Sequence, residues 1–229
     1  MISETEFIEK LLKHYTPKEL AGKKITDKRG GNNTIHTWDF ELKGEISARQ
    51  RDLLNALITE RRKKKWAKEL GIDGADGIPL SLEQIRSFFP DEDLESLLED
   101  LVKKGYLNKS YPKVRRDDYS VQDTSLPVGY SITAGQLSCR INRILGDNDI
   151  CPTLTSTDMS HIYIALAETI RPFSVREALR LMGFDDDFKI VVPVTHMYKQ
   201  IGNSIVVNVL ESIFAQIDWK KILDESYGE

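Results

Sequence analysis

The side chains of this sequence that could do chemistry are few. They are two cysteines, four histidines, a Pro-Thr-Leu-Thr segment, a Gly-Asn-Ser turn and two dense basic runs. Cys139 precedes arginine and Cys151 precedes proline. Neither belongs to a Cys-x-x-Cys pair, so each reads as a buried or turn cysteine and not as a nucleophile. His14, His36, His161 and His196 are scattered without the spacing of a metal site, which predicts structural histidines and no bound metal. Thr153 and Thr155 carry hydroxyls able to bond a phosphate oxygen or a base edge, or to serve ordinary turn and strand chemistry. Asn203 and Ser204 stand before an apolar run of helical period. They are expected to open that helix, where unpaired backbone N–H groups and the helix dipole favour an anion.

The basic runs suggest nucleic acid only locally. The net charge is −4, which weighs against a domain with an overall basic footprint. Yet Glu60–Leu70 holds six basic residues against two acids, and Leu101–Arg116 holds six and no acid. The first run, taken alone, reads rather as a solvated helix face. In the second, Lys103, Lys104, Lys109, Lys113, Arg115 and Arg116 are candidates for phosphate contact. Acids collect elsewhere, at Asp91-Glu92-Asp93 and Asp185-Asp186-Asp187.

The elements that must position these residues follow from period and punctuation. With 40% hydrophobic and 30% charged residues, the 229-residue chain can bury a core. No window is apolar enough to span a membrane, the N-terminus lacks the features of a secretory signal, and the cysteine usage fits a reducing compartment. Phe7, Ile8, Leu11 and Leu12 share a helix face, and Thr16 to Glu19 is a capping box with proline at its first helical position. KRGGNNT predicts a loop, followed by a strand over Thr34 to Leu42. Ser47 to Leu70 reads as one long helix, with Ser47 and Gln50 as a capping box. Ser81 and Gln84 open a short helix that Pro90 stops. Asp91 is expected to cap a third, with Leu94, Leu97, Leu98, Leu101 and Val102 as its buried face and Gly105 at its end. This order, followed by a basic hairpin-like segment, is that of a winged helix-turn-helix. Residues 117–165 carry strand and turn signals. Ser174 and Glu177 box a helix to Met182, and Val206, Val209, Leu210, Ile213, Phe214 and Ile217 mark a final amphipathic helix.

The last sixty residues carry a resemblance. RPFSVREALRLMGFDDDFKI (171–190) and YKQIGNSIVVNVLESIFAQI (198–217) resemble the ninth and tenth conserved blocks of the DNA cytosine-5 methyltransferase family. Arg176-Glu177, Arg180-Leu181, Gly183-Phe184 and Phe188 match the first block. Tyr198, Gln200, Gly202, Asn203, Ser204 and Val209 match the second. Asp185 and Asn208 stand where proline is usual. GDNDICPTLTSTDMS (146–160) resembles the end of the family's target-recognition domain, and residues 27–130 resemble an insertion carried by one branch.

The resemblance implies methyl transfer from S-adenosylmethionine to carbon 5 of a cytosine taken out of the duplex. It also implies a cysteine nucleophile, a glutamate on the ring and a Gly-rich cofactor loop. None of these parts is visible in the sequence. The expectation is therefore the DNA-recognition half of such an enzyme, inactive alone, with the catalytic half in a partner chain or a missing N-terminal region. Met1 and the leading helix mildly favour a separate reading frame. Asn203 and Ser204 are implied cofactor contacts. Arg176, Glu177, Gly183, Phe184 and Gly202 are implied structural motif residues. Duplex DNA is the implied partner, no membrane is involved, and a bacterial or phage source with cytoplasmic location is expected. A stand-alone DNA-binding module or relic, and a mere truncation product, are the competing readings. The expected fold class is α+β: a helical segment over 1–26, a target-recognition domain over 27–165 with a winged-helix-like part near 46–116, and a segment over 166–229 completing a Rossmann-like methyltransferase domain.

Overall fold

The computed structural model describes residues 3–72, 77–116, 119–133, 143–157 and 159–218. Mixed helix and strand make it an α+β chain. Three separate apolar cores organise it.

The first core draws on two distant stretches of chain. Helix α1 (Glu4–His14) starts where the Ser3 hydroxyl accepts the Glu6 N–H. Helix α2 (Pro17–Leu20) carries the Thr16–Glu19 capping box that the sequence predicts. Strands β1 (Lys24–Ile25) and β2 (Thr34–Ile35) pair in parallel. Phe7, Leu11, Leu20, Ile25, Ile35, Phe40 and Leu42 from this stretch bury together with Ile144, Tyr163, Ala165 and Ile170. Residues on both sides of position 26 share this core. The strand expected over Thr34 to Leu42 is only two residues long. Asp39 accepts the His36 N–H, and turn bonds from Asp39, Leu42 and Gly44 fold the chain back on itself.

The second core belongs to the middle of the chain. Helix α3 (Ala48–Glu60) has its Ser47–Gln50 capping box and buries Leu53, Leu54, Leu57 and Ile58, each contributing about 1.5–3 kcal/mol on burial. The helix expected to run to Leu70 breaks after Glu60, and α4 (Lys64–Glu69) restarts the chain in a new direction. Two facts account for the break. The apolar spacing stops at Ile58, leaving Arg61 to Lys65 without an apolar face. Glu60 also gathers Lys63 and Lys65 around one carboxylate while Trp66 turns back into the core.

Helix α5 (Leu82–Arg86) has the predicted Ser81–Gln84 box. Helix α6 (Leu94–Lys103) buries Leu94, Leu98 and Leu101. Its N-cap is Asp93, not Asp91, because the Asp91 carboxylate is taken by the Asp93 N–H and by Arg49. Strand β3 (Leu107–Ser110) and β6 (Gly129–Ile132) are antiparallel, with Leu107 opposite Ile132. Leu80 bridges Tyr130 on the other side of β6. A Cβ on Gly129 would run into the Pro79–Leu80 backbone, so glycine permits that approach. Between β3 and β6 lies a hairpin of β4 (Lys113–Arg116) and β5 (Tyr119–Gln122).

The chain then returns to the first core. Strand β7 (Arg143–Leu145) is parallel to β8 (Ile162–Ala165), which is antiparallel to β9 (Ile170–Pro172). Helices α7 (Val175–Leu181), α8 (Val194–Gly202) and α9 (Val207–Phe214) end the described chain. Val175, Ala178, Leu179, Met182, Met197 and Ile201 form the third core with Met159. Helix α8, which starts after Pro193 and buries Met197 and Ile201, is not anticipated in the sequence reading. No helix among the described residues is long and apolar enough to cross a membrane.

Candidate functional site

The two C-terminal sequence blocks meet in space. Gly183 ends the first block's helix at a φ of 80°, a backbone region that favours glycine. A Cβ there would run into the Asn208 side chain and stand 3.3 Å from Val207 Cβ. The Val207 N–H donates to Met182 O at 2.9 Å. The first block's turn is thereby fastened to the start of α9.

Arg176 reaches across the same turn and donates to Phe188 O at 3.0 Å, while the Phe184 and Phe188 rings lie 4.9 Å apart. Glu177 serves two masters. Its carboxylate accepts the Ser174 N–H in the capping box and two bonds from Arg171, at 2.8 and 2.6 Å. The Arg171 guanidinium is the larger cause that holds this carboxyl down to about 2. Arg171 has no prominent sequence signal, because its partner is six residues away across a strand end. These contacts tie Arg176, Glu177, Gly183 and Phe184 to their neighbours around α7 and the turn that follows it.

Gly202 makes the second junction. A Cβ on it would strike the Thr155 carbonyl carbon and the Ser156 nitrogen. The Pro-Thr-Leu-Thr loop thus lies directly on the end of α8. Tyr198 secures the same helix by donating its hydroxyl to Phe173 O, and burial pushes that hydroxyl's pKa up.

Asn203 and Ser204 do not open the final helix. Asn203 is the C-cap of α8, its N–H donates to Lys199 O and Gln200 O, and the Ser204 N–H donates to Ile201 O. Helix α9 begins three residues later, at Val207. The backbone donors expected for an anion are therefore already used. Asn203 keeps an exposed side-chain amide, and the Ser204 hydroxyl donates to Ile205 O.

The basic segment after α6 carries its own counter-charges. Lys104 pairs with Asp100 at 2.7 Å, and Lys109 with Glu99 at 2.6 Å. Glu99 also accepts the Tyr130 hydroxyl, and Asp100 accepts the Gln50 amide. Lys103 and Lys113 are exposed. The side chains of Arg115 and Arg116 lie outside the described part of the structure, as does Cys139. Burial pushes the Cys151 thiol up, against nucleophilic use at neutral pH.

Thr153 stands elsewhere, at a cleft it shares with Lys24, Asn33, Thr34 and Arg143. Thr155 does not line that cleft and shares a hydrogen bond with Thr157 at 3.2 Å. Sequence reasoning missed Lys24 and Arg143, which lie more than a hundred residues apart and belong to no charge run.

Residues 19–219 match the family model of the C-5 cytosine-specific DNA methylases. Over 207 residues the sequence is 45% identical to the Type II methyltransferase M.NlaIV of Neisseria lactamica, covering 90% of this chain and 49% of that protein. It is 42% identical over 207 residues to M.NgoBV of Neisseria gonorrhoeae, with the same coverage of 90% and 49%. With M.BanI of Aneurinibacillus aneurinilyticus the identity is 32% over 210 residues, covering 92% of this chain and 44% of the relative. The chain spans about half the length of these relatives.

Proposed function

Because the chain belongs to the C-5 cytosine-specific DNA methylase family, we propose that it is the DNA-recognition part of a DNA (cytosine-5-)-methyltransferase. The reaction is methyl transfer from S-adenosylmethionine to carbon 5 of cytosine in duplex DNA. The cysteine nucleophile and the Gly-rich cofactor loop come from a catalytic half, either a separate chain or another stretch of the same polypeptide. The biological setting is restriction–modification, as the Type II names of the relatives suggest.

The observation that carries this reading is the bare apolar face of α9. Val209 and Ile213, one turn apart, are 50% and 53% exposed, and α9 buries no residue. A helix so apolar is stable in water only against another surface. A catalytic half whose own core was completed by this segment supplies one. The last three helices then finish a Rossmann-like domain.

Within that assembly the residues have separate tasks. Asn203 and Ser204 hold the amino-acid end of S-adenosylmethionine, which supplies the methyl group when bound. With their backbone donors used in α8, they act through the exposed Asn203 amide and the Ser204 hydroxyl. Thr153 and Thr155 contact the duplex. Residues near 46–116 form a winged-helix-like insertion, a reading supported by the order α3, Leu80, α5, α6, β3 and hairpin, with β6 further along the chain pairing both β3 and Leu80. Lys103, Lys104, Lys109, Lys113, Arg115 and Arg116 on its basic segment approach phosphate.

The test is transfer of labelled methyl from S-adenosylmethionine to mixed-sequence duplex DNA. The chain is assayed alone and together with a catalytic half taken from a matching relative. Activity in the pair only is expected. Specific duplex binding without activity in either sample would make the chain a binding module.

A further inference from the structure

The strands of the first core present one face to the interior and leave the other open. Gly22 N–H donates to Ile144 O and Ile144 N–H to Lys23 O, at 2.9 and 3.1 Å, so the two residues just before β1 are bonded to β7. The two-stranded sheet β1-β2 thus lies beside the three-stranded sheet β7-β8-β9. Side chains alternate between the two faces of such a surface. Ile25, Ile35, Ile144 and Tyr163 enter the core. Their neighbours Lys24, Thr34, Arg143 and Ile162 line a cleft of about 620 Å³ on the other side, with Asn33 and the Pro152–Thr153 turn at its rim. Lys24 is opposite Thr34, and Arg143 opposite Ile162, in the strand register.

The chemistry of this cleft is one-sided. Among the described lining residues are one ammonium, one guanidinium, two hydroxyls and one amide, and no carboxylate; the Asp149 carboxylate, which lies behind Gly22, accepts the Gly146 N–H. The contrast with the segment after α6 is direct, since Lys104 and Lys109 there face Asp100 and Glu99. A concave surface with cations and hydroxyls and no acid suits a phosphodiester. Its volume admits a sugar-phosphate unit.

We infer that this cleft seats the backbone of duplex DNA, with a phosphate between Lys24 and Arg143 and the Thr34 and Thr153 hydroxyls donating to it. The inference rests on the methyltransferase reading for the identity of the nucleic acid. It moves the chief phosphate contact from the winged-helix segment to the sheet face. Each phosphate contact adds about 0.9 to the slope of log affinity against log salt.

The experiment measures fluorescence anisotropy of a labelled mixed-sequence duplex titrated with the chain, alone and with the catalytic half, at several salt concentrations. The double variant K24A/R143A is expected to bind about 10- to 100-fold more weakly, with a salt slope lower by about 2. The charge-keeping variant K24R/R143K stays within about threefold of wild type. So does K13A/K189A, which removes the same two charges elsewhere. Both Lys24 and Arg143 are exposed, so circular dichroism melts should match wild type. If the double variant melts early, the single variants K24Q and R143Q give the same reading. Unchanged affinity and slope in K24A/R143A, with methyl transfer by the wild-type pair intact, overturns this inference and leaves the enzyme reading standing. Salt-dependent loss of duplex binding in K24A/R143A, with no methyl transfer by the wild-type pair, does the reverse. A wild-type chain that binds no duplex in either sample overturns the inference as well.

Discussion

Arg171 and Glu177 face each other in a two-pronged ion pair, Nη1 to Oε2 at 2.8 Å and Nη2 to Oε1 at 2.6 Å. The pair joins the end of β9 to the first turn of α7. It fixes where the helix of the first C-terminal block begins. The Glu177 carboxyl, held down to about 2 by Arg171, stays charged well below the ordinary carboxylate range. A lowered folded-state pKa contributes stability that is fully present above the unfolded value of about 4.5 and is lost as pH falls towards 2. Both side chains are partly exposed, so solvent screening leaves about 1–2 kcal/mol of the shift as stability. Glu177→Gln is expected to lose that amount at pH 7 and to flatten the acid limb between about pH 4.5 and 2. Urea melts across this range read both effects. An acid limb identical to wild type would remove the pair from the stability account.

Gly202 offers a sharper steric test. Its missing Cβ is what lets the Thr155–Ser156 peptide lie on the end of α8. The obstacle is backbone, which cannot rotate away as a flexible side chain can. Gly202→Ala is expected to destabilise the chain by about 1–3 kcal/mol, the usual cost of overpacking. Amide exchange over residues 153–157 should accelerate at the same time. Wild-type exchange rates in the variant would mean that the loop is held by other contacts.

How much of this was legible in the sequence depended on the range of each interaction. The capping boxes at Thr16, Ser47, Ser81 and Ser174 all form as read, because donor and acceptor lie three residues apart. The apolar faces of α3 and α6 follow for the same reason. The break at Glu60 was missed because it depends on where Trp66 finds its core. Helix α8 was missed because only Met197 and Ile201 are buried on it, too few apolar positions to mark a period. The C-terminal blocks pointed to the family, yet their residues had to be placed in space to show that Asn203 ends a helix and does not start one. The Lys24–Arg143 cleft is invisible in one dimension, since only the folded chain brings those residues to one surface.

The exposed face of α9 yields a prediction about assembly. Val209 and Ile213 are half exposed, and α9 buries no residue. Replacing both by aspartate, V209D/I213D, should leave the stability of the chain alone within about 0.5 kcal/mol, as for surface substitutions in general. The same change should weaken association with the catalytic half by at least about tenfold, because charge is then buried in an apolar seam. Titration calorimetry of the pair and thermal melts of the chain separate the two effects. Loss of stability in the isolated chain would show that α9 is already part of its own core.

The acids of α6 allow the winged-helix contact to be tested by gain and not by loss. Glu99 sits lower than an ordinary carboxyl, first because Lys109 donates to it and then because the Tyr130 hydroxyl does; Asp100 is lowered chiefly by Lys104 and then by Gln50. Each acid cancels a cation that the sequence offers to phosphate. E99Q/D100N keeps side-chain shape and some hydrogen bonding while releasing Lys104 and Lys109. If this segment approaches the duplex, the released charges tighten binding and raise the salt slope by about 1 for each new phosphate contact. Anisotropy titrations at low and moderate salt measure both quantities. Gain with the slope increase is the expected outcome, smaller than the loss in K24A/R143A, because Lys103 and Lys113 of the same basic segment are already exposed. Affinity and slope equal to wild type would mean that α6 and β3 face away from the DNA, leaving the sheet cleft to carry the backbone contact without them.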